Sequence, residues 1–461
     1  MGNFMLAKAK LSRAIFRSEW TWIALFFLIF AAQVVHRIPA SQRSAFFFDF
    51  TNVYSASRVW LHGHNPYQLQ EVYHAWATSN HGSQLGTPDP NGPSMWAAVH
   101  PPSTLLLLSP LAALNAVTAH LIWISLGIVL LIVTFFALFS LGGIDDIAGR
   151  MLLVVCALAS APVQVAIECG QPALPSAAMV ILAVWAFSKE RLILAGVLLG
   201  LATALKVQVG APFILYYLFI RQWRVGTLAL VLFAVATMVA IGRMHAFGID
   251  SWWADWHRNI AATLEPNQVN DPRPGGPWRN DMVNLQVLLD VVLHRDYETD
   301  FCILAIFMPL LAGFLMRVRP GRAAGKDLLA LSMVALLTML PLYHRLYDSV
   351  LLLMLLTWAL SMRQTRQSTL AIAILAMLAE FLVPIDLVPS LVRRTHAFDS
   401  LVRSMWWQGV VVPHHAWAML VLTLGTFWVF CRRTATASAA SLRQPIGAAR
   451  HARVAASPHS V

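Results

Sequence analysis

Asp49 sits in the stretch Phe48-Asp49-Phe50-Thr51-Asn52-Val53-Tyr54, which is followed by Gly63-His64-Asn65-Pro66-Tyr67. Just before it lies an almost unbroken apolar run, Trp20 to Val35, behind a basic N-terminus. The carboxylate is therefore expected near the outer membrane–water boundary. That position suits chemistry on a lipid headgroup better than a purely structural role. Other polar groups recur where apolar runs end: Glu168 and Gln171, Lys206-Val207-Gln208, and Tyr343-His344-Arg345-Leu346-Tyr347-Asp348. A carboxylate can act as a general base, and cationic side chains can hold an anion.

The elements that must position these residues are membrane helices. The chain is 58% hydrophobic and 12% charged, with mean hydropathy +0.63. That composition excludes an ordinary soluble protein and indicates an all-α polytopic membrane protein. The apolar runs are continuous and do not alternate with period two, which argues against a β-barrel. The net charge of +11 falls in short basic clusters between apolar runs. This is the pattern of cytoplasmic loops and not of a nucleic-acid-binding face, so no nucleic acid partner is expected. The four cysteines lie in or beside apolar segments without CxxC spacing, so neither a metal site nor a disulfide framework is indicated.

Apolar segments near 20–38, 116–140, 150–168, 172–187, 192–205, 208–221, 226–243, 301–317, 328–342, 346–361, 369–384 and 415–431 predict about twelve transmembrane helices. Lys8, Lys10, Arg13 and Arg17 place the N-terminus in the cytoplasm, and basic clusters in alternate short connections keep the parity. Residues 1–19 are read as a basic cytoplasmic N-terminus, 20–431 as one membrane domain, and 432–461 as a disordered cytoplasmic tail. The outer face carries long segments, roughly 39–103, 244–299 and 385–414, rich in Asp, Asn, Pro, Trp and His. Within them, Ser251-Trp252-Trp253-Ala254-Asp255-Trp256 reads as an interfacial helix. Asp271 and Asp281 flank a Pro/Gly-rich stretch that reads as a solvated loop over the site, and Asp145-Asp146 reads as a solvated cytoplasmic pair.

Both ends of the 192–221 region are basic, so both are expected in the cytoplasm. The first limb, Leu192 to Leu205, has 14 residues and rises about 21 Å as a helix, short of the roughly 30 Å hydrocarbon core. Lys206 at the apex would lie in a cavity below the outer surface. Such an interrupted hairpin is tolerated only where protein or water covers its backbone.

Together these motifs resemble glycosyltransferase family 87, a family of the GT-C superfamily that uses polyprenyl-phosphate sugars. The resemblance rests on Asp49-Phe50-x3-Tyr54 with Gly63-x-Asn65-Pro66-Tyr67, His100-Pro101-Pro102 with Leu108-Ser109-Pro110-Leu111, Gly170-Gln171, Lys206-Val207-Gln208, and Tyr343-His344-Arg345-Leu346-Tyr347-Asp348. They occur in matching order from about residue 20 to 360. One departure is Val207, where the family usually has proline.

The resemblance implies a GT-C-like bundle with long extracytoplasmic loops and interfacial helices in the cell inner (plasma) membrane, its active site facing the periplasm or exterior. It makes Asp49 the general base and Lys206, His344 and Arg345 the donor-phosphate ligands. Tyr54, Asn65, Tyr67, Glu168, Gln171, Gln208 and Asp348 become the sugar or acceptor contacts. The implied partners are a polyprenyl-phosphate sugar donor, typically of mannose, a glycolipid, polysaccharide or protein acceptor, and membrane lipid. No cofactor or metal is expected. Two structural alternatives compete for single residues: Asp49 as the N-cap of a helix over 51–61, and Lys206 snorkelling to the interface. Glu168 is the rival base. A rival function is a transporter or flippase for lipid-linked sugars. The absence of inverted repeats and the long outer loops argue against it.

Overall fold

The computed structural model describes residues 19–41, 48–79, 97–293, 296–363, 365, 368–384 and 404–442. The basic residues of the N-terminus, Pro88, Pro90 and Pro93 of the first outer segment, most of the third outer segment and the tail beyond Leu442 lie outside the described residues. Among the described residues the chain is helical, and its only β pairing is a single bridge between Met282 and Arg345.

The chain begins with α1 (Glu19–Ser41), α2 (Phe48–Leu61), α3 (Leu69–Thr78) and α4 (Pro102–Ala112). The next helices are α5 (Ala116–Gly142), α6 (Ile147–Ala159), α7 (Ala161–Glu168) and α8 (Ala173–Ser188). They are followed by α9 (Leu192–Leu205), α10 (Val207–Phe219), α11 (Trp223–Ala246) and α12 (Trp252–Leu264). The remainder is α13 (Asp296–Arg317), α14 (Leu328–Met339), a 3₁₀ turn (Leu346–Leu352) running into α15 (Leu353–Ser361), α16 (Ser368–Leu378) and α17 (His414–Leu442). Local chemistry fixes several starts. Asn115, Asp146 and Asp327 accept the backbone N–H groups of Thr118, Gly149 and Leu329, which caps α5, α6 and α14.

Each expected apolar segment is helical, and the helices differ in length. Among the described residues four helices, within Ala116–Gly142, Trp223–Ala246, Glu298–Arg317 and His414–Thr436, are long and apolar enough to cross a membrane. Counting the pair α6–α7, bent by 55°, as one span gives up to five. The other apolar helices have 10–17 residues. The long helices are mostly unburied and show apolar faces such as Phe136, Met238, Phe301 and Trp428, as a lipid-facing shell would. The short ones, above all α8 and α14, are apolar on every side and almost wholly buried, which marks them as core.

The largest core joins α5 to α10 with α14, α15, α16 and α17. A second cluster forms around Phe50, Tyr54, Trp60, Tyr67, Trp76, Leu105, Trp123 and Trp252. It packs α2, α3 and α4 against the ends of α9 and α11 and the start of α12. The helices α2, α3 and α4 thus form a module laid on the bundle. The segment Trp252–Leu264 forms a helix, with Trp253 exposed and Trp252 buried.

Candidate active site

The polar residues that converge come from breaks between short helices. Between α7 and α8 the chain turns through Gly170, whose φ of +63° is a left-handed conformation open to glycine at little cost. This turn aims the Cys169 carbonyl at the start of α2, where it accepts the N–H groups of Asp49 and Phe50 at 3.2 and 3.3 Å. Trp123 donates to the Gly170 carbonyl at 2.7 Å and stacks on Phe50 at 5.1 Å. Asp49 stands in the first turn of α2, where the helix dipole favours an anion.

Asp49 does not act as the helix cap. Its Oδ2 accepts a 2.8 Å hydrogen bond from the Gln171 side chain, while Cys169 satisfies the helix end. Gln171 is the link: its Oε1 accepts from Lys206 Nζ at 3.4 Å.

Lys206 lies between α9 and α10 in an extended conformation, φ −151° and ψ 99°. The two limbs come close because Gly210 has no side chain. A Cβ there would fall 2.3 Å from Thr203 Oγ1. The ammonium does not snorkel, since Lys206 is only 6% exposed. It pairs with Asp348 Oδ1 at 2.6 Å and lies 4.4 Å from the centre of the Tyr347 ring.

The third break, between α14 and the 3₁₀ turn, carries His344, Arg345 and Asp348. Asp348 Oδ2 bonds His344 Nδ1 at 3.0 Å and accepts the Arg345 N–H at 3.3 Å. His344 is buried, and its Nε2 has no hydrogen-bond partner among the described residues. Arg345 donates to Tyr343 Oη, to the Val269 carbonyl at 2.6 Å and to Asn270 Oδ1 at 2.9 Å. Its Nη1 lies 3.7 Å from Asp281 Oδ2.

The structure therefore joins Asp49, Gln171, Lys206, Asp348, His344 and Arg345 in one continuous polar chain. Burial pushes the Asp49 carboxyl above its usual range. Arg345, Lys206 and the Gln171 hydrogen bond oppose this, and the Asp348 charge adds to it. A carboxylate raised in this way is a stronger base than a free one, and the cations beside it can bind an anion.

Three other sequence candidates bond elsewhere. Tyr54 donates to the Leu114 carbonyl at 2.8 Å. Asn65 donates to Asp255 at 2.7 Å and accepts the Tyr67 N–H at 3.0 Å. Tyr67 donates to the His100 carbonyl at 3.0 Å. All three are buried and tie the α2–α4 module together. Glu168 ends α7 beside the Cys169 turn, but Gln171 binds Asp49. Gln208 is half-buried in the first turn of α10. Asp146 caps α6 and pairs with Arg363, far in sequence from the site.

Sequence reasoning missed Asp281, Tyr343, Asn270 and His100. The Pro/Gly stretch is exposed at 274, 275 and 277, as a solvated loop is, but the flanking Asp271 and Asp281 are 3% and 4% exposed. The available signal was the apolar run Met282-Val283 with Leu285, Val287 and Leu288, all buried, which anchors the loop in the core. His100 is held neutral, its pKa lowered to about 3 by burial and by the Lys206 charge. Among the described residues no three His, Cys, Asp or Glu side chains converge as metal ligands.

Against known proteins, the family model of glycosyltransferase family 87 matches residues 98–343. The matched span includes Gln171, Lys206 and Asp281 and stops short of Asp49 and of His344 to Asp348. No curated protein and no solved structure matches the chain.

Proposed function

The chain belongs to glycosyltransferase family 87, and on that premise we propose that it moves a hexose, mannose first among candidates, from a polyprenyl-phosphate sugar to an extracytoplasmic lipid, glycan or protein acceptor. Asp49 takes the acceptor hydroxyl proton as the acceptor oxygen attacks C1. Lys206, with His344 and Arg345, holds the donor phosphate as the C1–O bond breaks. Displacement on a β-linked donor inverts C1 and leaves an α-linkage.

The observation that carries this reading is Gln171. Its amide bonds the Asp49 carboxylate on one side and the Lys206 ammonium on the other. A base and a phosphate cation one side chain apart suit a reaction in which nucleophile and leaving group act on one carbon. Lys206 lies at a helix break buried by protein, where irregular backbone survives in an apolar bundle, and Asp49 lies in the first turn of α2. The rest of the reading has its support in composition and resemblance: a GT-C-like arrangement in the plasma membrane, with the site facing the periplasm or exterior.

The test is transfer by purified protein in lipid nanodiscs from labelled polyprenyl-phosphate hexoses, with product lipids and glycans resolved chromatographically. Wild type should transfer, and Asp49→Asn should lose about 10²–10⁴-fold in turnover while remaining in the membrane fraction. A transporter whose cycle does not depend on protonation of this residue would tolerate the substitution. Normal transfer by Asp49→Asn would remove Asp49 from the mechanism and promote Glu168.

A further inference from the structure

The segment before Leu285 folds back against the third helix break. Met282 bridges Arg345, Val283 N–H donates to the His344 carbonyl at 3.1 Å, and Leu285 N–H donates to the Leu340 carbonyl at 2.9 Å. These contacts fix Asp281 beside the groups that hold Lys206. Its carboxyl receives the Leu346 N–H and faces Arg345. Its other oxygen, Oδ1, is buried with no hydrogen-bond partner among the described residues. A buried carboxylate oxygen without a donor is costly, so it calls for a proton or a ligand.

Charge balance points the same way. Asp49, Asp281 and Asp348 share the site with two permanent cations, Lys206 and Arg345, and both cations are already engaged. On the reaction proposed above, a phosphodiester with one negative charge enters and a phosphate monoester tending towards two leaves. Three ionised carboxyls would oppose that gain of charge in a buried space. With His344 neutral, one of them must carry a proton.

We propose that Asp281 is the general acid of the transfer, paired with Asp49 as base, and that its Oδ1 proton is directed to the donor phosphate. The acceptor hydroxyl proton passes to Asp49 as the acceptor oxygen bonds to C1. The bond from C1 to the phosphate oxygen breaks, and its electron pair stays on that oxygen. The Asp281 proton passes to the phosphate. Asp49 then holds a proton and Asp281 is ionised, so return of that proton from Asp49 to Asp281 resets the site.

The surroundings suit both roles. Burial raises the Asp281 carboxyl to about 7, with Arg345 opposing and the Asp49 and Asp348 charges adding to the rise. The second ionisation of a phosphate monoester falls at about 6, so acid and leaving group are matched within about one unit. The titratable groups that face Asp281 are Asp49, Tyr343, Arg345 and Asp348. Lys206 and His344 act on it through Asp348.

The experiment compares full-length wild type and Asp281→Asn in nanodiscs, measuring kcat and KM against pH with the polyprenyl-phosphate hexose that wild type uses best. Asp281→Asn should lower kcat about a hundredfold, leave donor KM within about threefold and abolish the alkaline limb of the kcat profile. A phosphorothioate donor, whose leaving group is more acidic, should restore part of that loss. If Asp281 only holds Arg345, KM rises while kcat and the alkaline limb persist, which overturns the acid role. If Asp281→Asn fails to accumulate, Asp281→Glu takes its place. It should keep an alkaline limb displaced in pH, and an unmoved limb counts against the proposal. Transfer by Asp281→Asn at the wild-type rate overturns this proposal alone. A wild type that uses no polyprenyl-phosphate hexose overturns the proposed reaction and this step with it.

Discussion

Lys206 and Asp348 form an ion pair whose side chains are 7% and 1% exposed, and the two partners are not equally dependent on each other. Without Lys206, Asp348 keeps donors from His344 and the Arg345 backbone. Without Asp348, Lys206 keeps a 3.4 Å contact to Gln171 and the Tyr347 ring. Asp348→Leu should therefore destabilise the protein by about 3–5 kcal/mol, the cost of leaving a buried charge unpaired. Lys206→Met should cost less, about 1–3 kcal/mol. The double variant removes both charges and should recover much of the loss, with a coupling of about 2–3 kcal/mol. Unfolding of purified protein in mixed micelles of rising SDS content measures these differences, and the transfer assay runs alongside. Stability should return in the double variant while donor KM stays raised, because the phosphate ligand is gone. Strictly additive stability changes would refute the pairing argument. A double variant with wild-type donor KM would refute the phosphate role of Lys206.

Asp49 must be ionised to accept a proton, so transfer should rise with pH through its raised pKa; Gln171→Leu removes a hydrogen bond that favours the ionised form and should move this limb to higher pH in a pH–rate profile. Val207→Pro should be tolerated, with unchanged or slightly raised thermal stability, because Lys206 already has the extended backbone of a residue before proline and Val207 is the first residue of α10; loss of folding in a melting assay would contradict this. A cysteine replacing the exposed Trp253, in a background lacking the four native cysteines, should react with a membrane-impermeant reagent in intact cells; protection there, with labelling after lysis, would reverse the orientation proposed for the site.

The sequence alone determined the class of molecule and the main axis of its site. Continuous apolar runs can only be helices among lipid, because their backbone groups must bond within the segment. Ionisable residues at the ends of such runs stand out because burying them is costly. Asp49, Lys206, His344, Arg345 and Asp348 were visible for that reason. The tertiary structure decided which apolar helices are buried by protein and which keep an exposed apolar face, since both kinds have the same composition. It showed that Gln171 links Asp49 to Lys206, a contact between residues 122 and 35 positions apart in sequence. It directed Tyr54, Asn65 and Tyr67 to internal hydrogen bonds of the α2–α4 module. It also moved Asp281 from an apparently solvated loop to a buried position against Arg345. A carboxylate beside Pro and Gly carries no local sign of burial. What buries it is the docking of Met282, Val283 and Leu285 on residues some sixty positions downstream, through non-local contacts that no window of sequence displays.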